Sequence, residues 1–166
     1  SETYPDLSQV KLAYVGDGNN VSNSLMIMAA TLGVDFTLIS PKGHEAPADI
    51  VEKTKQLAQE SGSQLIVTHD IDAIGKQDVI YTDTWISMGD EDSSKKAEIL
   101  AKFAPYQVNH DLMKKAQATM VLHCQPAHLE EEITTELFDS ELSKVFQQAE
   151  NRMWAQNAVL VALFSH

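Results

Sequence analysis

Three short polar clusters hold most of the residues able to do chemistry: Gly16-Asp17-Gly18-Asn19-Asn20, Asp83-Thr84-Trp85-Ile86-Ser87-Met88-Gly89 and His123-Cys124-Gln125-Pro126-Ala127. In the second, the Asp83 carboxylate suits an ammonium group, and Ser87 with its loop amides suits a carboxylate. The competing structural reading has Asp83 capping its own loop while Trp85 and Met88 pack. In the third cluster, Cys124 offers a thiol, which is a nucleophile or base only if its pKa is lowered. A lone cysteine beside a strand is otherwise a small buried hydrophobe. The first cluster lets the backbone turn tightly at Gly16 and Gly18. Its asparagines serve as a helix cap or as ligand contacts, and both readings stay open.

Each cluster follows a β-rich run. Strands are predicted at Val10–Val15, Phe36–Ser40, Gln64–Thr68, Val79–Thr82 and Met120–His123, and helices at Asn20–Leu32, Ala48–Glu60 and Asp111–Ala116, with another capped by Ser93 or Ser94 and running to Phe103 and a short helical stretch around Ile71–Ile74. Strands alternating with helices predict an α/β fold: a doubly wound, Rossmann-like parallel sheet of about five strands, helices on both faces. The expected strand order is 3-2-1-4-5, which makes the three clusters neighbours at the carboxyl edge around the switch point, where such sheets bind ligands. One long C-terminal helix, Gln148–Phe164, follows without another strand. Its last third, from Ala158 to Phe164, is apolar all round.

The sequence excludes several functions. Gly16-x-Gly18 half matches a dinucleotide fingerprint, but Val21 stands at the third glycine position and Ser40-Pro41-Lys42 brings no carboxylate for a ribose. A zinc reading on His123, Cys124 and His128 lacks a fourth ligand, and its adjacent strand residues face opposite ways. Glu130–Glu132 and Asp90–Asp92 read as solvated faces, and His44, His69 and His110 as structural or solvated. No metal and no organic cofactor is expected. The formal charge of -12 over 166 residues argues against nucleic acid and anionic membrane as partners. No apolar run approaches the roughly 20 residues of a membrane span. One cysteine fits a reducing, cytoplasmic location. A start at Ser1 without methionine suggests an excised or processed chain.

Together the clusters resemble the ornithine carbamoyltransferase family. The resemblance rests on GDGNN at 16–20, DTWISMG at 83–89, YQV at 106–108, HCQPA at 123–127 and AENRMW at 149–154, in the family's order and spacing. It spans essentially the whole chain and corresponds to the family's second, ornithine-binding domain. Residues 1–166 are thus expected to form one domain, with 148–166 packing on the carbamoyl-phosphate-binding domain that the family carries first. Neither the Ser-Thr-Arg-Thr phosphate-binding motif of that first domain nor its His-Pro-x-Gln motif occurs here. Gln125 stands where the family usually has leucine.

The resemblance implies transfer of a carbamoyl group from carbamoyl phosphate to the side-chain amine of L-ornithine, without a cofactor. It implies that Asn20, Asp83, Ser87 and Met88 contact ornithine. Asp83 and Cys124 would position and deprotonate the amine, and Cys124, Gln125 and Arg152 would face carbamoyl phosphate. On this reading Cys124 is expected to be more acidic than a free thiol in the complete enzyme, where Arg152 and a cationic substrate favour thiolate, the loop from Thr84 to Asp92 to close over substrate, and the chain alone to be inactive. It further implies a homotrimer for the complete enzyme, with this chain a monomer or a non-native dimer. The alternatives are a carbamoyltransferase for another amine, such as putrescine, and a small-ligand binding module without catalysis.

Overall fold

A computed structural model describes residues 3–86 and 93–165. Five parallel strands, β1 (Lys11–Val15), β2 (Asp35–Ile39), β3 (Leu65–Thr68), β4 (Val79–Thr82) and β5 (Met120–His123), form one sheet in the order β3-β2-β1-β4-β5. This is the expected order.

Alternation along the strands builds two cores. On β1, Ala13 and Val15 face one core while Leu12 and Tyr14 face the other. Ile80 and Val121 join the first face; Val79, Tyr81 and Leu122 join the second. Helices α1 (Asn20–Leu32) and α2 (Ala48–Ser61) cover the second face through Met26, Ala29, Ile50 and Val51. Helix α4 (His110–Ala116) and the one-turn α5 (Thr135–Phe138) cover the first through Leu112, Met113 and Leu137. Helix α3 (Ser93–Phe103) delivers Phe103 to a smaller cluster with Trp85 and Ile86.

Past their first residues, Lys11 and Asp35, the central strands β1 and β2 are buried, as is all of β4, so they read in sequence as apolar runs. The edge strand β3 leaves Ile66 and Val67 substantially exposed. The terminal helix α6 spans Val145–Phe164, three residues earlier than the sequence predicts, and Val145 is its single buried residue. The early start follows from two anchors: Val145 enters the core, and the Gln148 side chain is fixed between β4 and β5. The apolar end is exposed, Phe164 at 80%. No helix among the described residues is long and apolar enough to cross a membrane.

Candidate active site

At the carboxyl edge the three clusters meet on one carboxylate. Asp83, 8% exposed at the end of β4, is held from both sides. Its Oδ2 accepts from Asn19 Nδ2 at 2.9 Å, and its Oδ1 accepts from the Thr84 amide at 2.7 Å and from the Cys124 thiol at 2.8 Å. Loops after β1, β4 and β5 therefore share a single anion at the switch point.

Asn19 is the hub on the β1 side. Its Oδ1 accepts the Val21 and Ser22 amides, capping α1, and the Tyr14 hydroxyl donates to it at 3.3 Å. The amide end of the side chain is thereby left to point at Asp83. Beneath lies a stacked pair, Tyr14 and Tyr81, with ring centroids 6.0 Å apart. Burial raises the pKa of both phenols, with help from the nearby Asp83 and Cys124, so both remain protonated hydroxyls. Gln148 of α6 donates to the Tyr81 hydroxyl at 2.8 Å and accepts the His123 amide at 3.1 Å.

Gly18 makes the approach of the first loop possible. A Cβ there would lie 2.4 Å from the backbone of Glu45 and Ala46. The two loops are pinned further by the Gly18 amide on the His44 carbonyl and by His44 Nδ1 on Asp17 at 3.0 Å. The His44 ring meets Phe103 edge-on, and Phe103 packs on Trp85, so the neighbouring walls support one another.

Past β5, a buried polar unit shapes the third loop. His123 Nδ1 accepts the Gln125 amide at 2.9 Å, so Nε2 carries the hydrogen and donates to Glu132 Oε1 at 3.1 Å. Both side chains are fully buried. Gln125 takes a left-handed φ of 58°. Cys124, Gln125 and Pro126 then form one wall of an open cleft of about 660 Å³, with Phe146, Ala149 and Arg152 of α6 opposite.

The structure corrects two sequence expectations, for Cys124 and Glu132, and fixes where Asn20 and Arg152 stand. Cys124 is not acidified: burial, then its hydrogen bond to Asp83 and the charge of Asp83, push its thiol up to about 12. The expectation gave weight to cations, but the dominant neighbour is an anion. Asn20 is exposed on the first turn of α1, and its neighbour Asn19 reaches Asp83. Glu132 is wholly buried rather than part of a solvated face. Arg152 is exposed and lines the same cleft as Cys124. Ser87, Met88 and the rest of 87–92, most of the expected closing loop, lie outside the described residues.

The sequence reading underweighted Asn19 and missed Tyr14, Tyr81, Gln148 and the His123–Glu132 pair. For Asn19 the signal was there: an asparagine just before a helical run is a favoured N-cap. For Glu132, one of three consecutive glutamates, no sequence signal singles it out.

The match to known proteins agrees with this geometry. The profile described as "Aspartate/ornithine carbamoyltransferase, Asp/Orn binding domain" matches residues 8–163. The chain belongs to that family. It is 56% identical to an ornithine carbamoyltransferase of Shewanella oneidensis over 99% of its length, covering 54% of that protein. The solved ornithine carbamoyltransferase of Pyrococcus furiosus superposes with a TM-score of 0.84 at 46% identity, over 92% of this chain and 49% of that one. That of Gloeobacter violaceus gives 0.86 at 36% identity, over 98% and 54%. The chain therefore spans about half the length of the relatives it matches.

Proposed function

We propose that this chain is the ornithine-binding half of an ornithine carbamoyltransferase, which moves the carbamoyl group of carbamoyl phosphate onto the side-chain amine of L-ornithine, giving citrulline and phosphate. The observation that carries the proposal is the held carboxylate of Asp83. Each carboxylate oxygen can accept two hydrogen bonds. Oδ1 is filled by Thr84 and Cys124, whereas Oδ2 accepts only Asn19 among the described residues. One acceptor site on a fixed anion thus stays open to an amine.

The reaction needs a neutral amine whose lone pair points at the carbamoyl carbon, and a donor for the oxygen that becomes negative. Asp83 holds the amine hydrogens and turns the lone pair outward. Cys124, a protonated thiol, fixes Asp83 through Oδ1 and does not act as the base. Arg152, across the cleft, donates to the carbamoyl oxygen as charge develops there. Ser87 and Met88 hold the α-carboxylate end of ornithine, and the Gln125 backbone lies near the carbamoyl group. Carbamoyl phosphate is bound mainly by the half of the relatives that this chain does not span, so the chain alone binds without turning over. The complete enzyme is a homotrimer-based assembly working in the cytoplasm.

Titration calorimetry of the chain with L-ornithine, putrescine and carbamoyl phosphate, beside a citrulline assay, tests this reading. Expected are heat with ornithine, less with putrescine, and no citrulline. Stronger binding of putrescine than of ornithine overturns the substrate assignment, and citrulline formation overturns the division of labour.

A further inference from the structure

We propose that His128, Glu131 and Glu132 form a binding site for one divalent cation of the zinc class. These residues sit on the turn that folds back after Pro126, where Leu129 bridges to Ile133. One ligand atom from each lies within 4.8 Å of the others. Proximity alone means little for acidic side chains, and the decisive observation is burial. Glu132 is fully buried, and its Oε2 has no hydrogen-bond partner. Glu131 Oε2 is also buried without one, although His128 Nδ1 lies 3.8 Å from it. A buried carboxylate oxygen without a donor is costly. A cation among these three residues supplies both oxygens at once.

The remaining atoms are arranged as around a metal centre. Glu132 Oε1 is occupied by His123 Nε2 and by the His128 amide at 2.6 Å, which aims the carboxylate, as outer-sphere partners do. Glu131 Oε1 pairs with Lys96 at 3.5 Å, leaving Oε2 for the cation. One imidazole and two carboxylates favour zinc or a neighbouring transition ion over calcium or magnesium, which take oxygen-only shells. Zinc bonds of about 2.0–2.1 Å bring tetrahedral ligand atoms to about 3.4 Å, so the separations close by up to about 1.4 Å from the 4.8 Å limit. The exposed His128 ring is free to make much of that shift. The fourth position is left to water.

The sequence reading expected no metal and separately took 130–132 as a solvated face; Glu132 is buried. Its rejected trio fails in the structure too, since the His123 ring is committed to Glu132 and Gln125. The site does not use Asp83 or Cys124, so the inference stands apart from the proposed carbamoyl transfer.

Chelator-stripped chain is titrated with zinc in competition with a chromophoric chelator, with a circular dichroism melt for every variant. Expected is one zinc per chain, bound at least 10-fold more weakly by His128→Ala and by Glu131→Gln, and unchanged in Cys124→Ser and His69→Ala. X-ray absorption of the zinc-loaded wild-type chain is expected to show nitrogen and oxygen ligands only, a readout independent of variant folding. No zinc uptake, unweakened binding in His128→Ala, loss of binding in Cys124→Ser, or a sulfur ligand each overturns the proposal.

Discussion

Asn19 and Asp83, sixty-four positions apart in sequence, share a hydrogen bond of 2.9 Å that ties the cap of α1 to the end of β4. One side chain thus serves two ends. Its oxygen stabilises a helix, and its nitrogen orients an anion.

This double duty makes Asn19 a separable test. Asn19→Asp keeps a good N-cap but sets two carboxylates against each other. We expect little loss of helix stability and a clear loss of amine binding. Asn19→Ala should lose both, with about 1 kcal/mol from the cap and a fall in Tm of a few degrees, about 2–4 °C per kcal/mol at this size. Thermal melts and calorimetry on both variants check this. Equal amine binding by wild type and Asn19→Asp would contradict the orienting role.

Cys124 should resist alkylation across the neutral range. Its thiol is pushed up to about 12, first by burial and then by Asp83, so the thiolate fraction stays small until strongly alkaline pH. The sign is clear: a neighbouring negative charge disfavours a second one. Iodoacetamide rates against pH should show no inflection near the free-thiol value of about 8.5. Asp83→Asn should move the inflection downward. An inflection below 8.5 in the wild type runs against this assignment.

Gly18→Ala should destabilise the chain by about 1–3 kcal/mol, the range for overpacking. The added methyl meets backbone atoms of Glu45 and Ala46 at 2.4 Å, not a side chain that can swing away. Chemical denaturation measures it, and a loss below about 0.5 kcal/mol shows that the 44–46 loop yields.

The exposed apolar end of α6 should drive self-association. Val159, Leu160, Val161, Leu163 and Phe164 are all more than half exposed, and contiguous patches of this kind mark interfaces. Sedimentation across a wide concentration range should show association that Leu160→Glu with Leu163→Lys abolishes, leaving the melt unchanged. A monomer at every concentration contradicts it.

Much of the fold was legible because the central strands are short apolar runs bounded by glycine, proline and polar residues, and because α1 has a clear start. The site's location followed from topology alone: three polar clusters after β1, β4 and β5 must converge at the switch point. The direction of individual side chains was not legible. Asn19 and Asn20 are adjacent and identical, and only the cap geometry decides which one faces Asp83. The sign of the Cys124 shift depends on whether an anion or a cation lies nearer, which sequence spacing does not encode. Glu132 looks like its neighbours until the turn at 130–132 buries it.

The central claim is that Asp83 presents a fixed carboxylate to the attacking amine. The most direct measurement is kcat/KM for L-ornithine in the complete two-domain enzyme, wild type against Asp83→Asn. Asparagine matches the shape of Asp83 and removes its charge. The account predicts a fall of about 10²–10³-fold, the size expected for losing one preorganised electrostatic contact, with an unchanged melt. An Asp83→Asn enzyme with wild-type kcat/KM would contradict it.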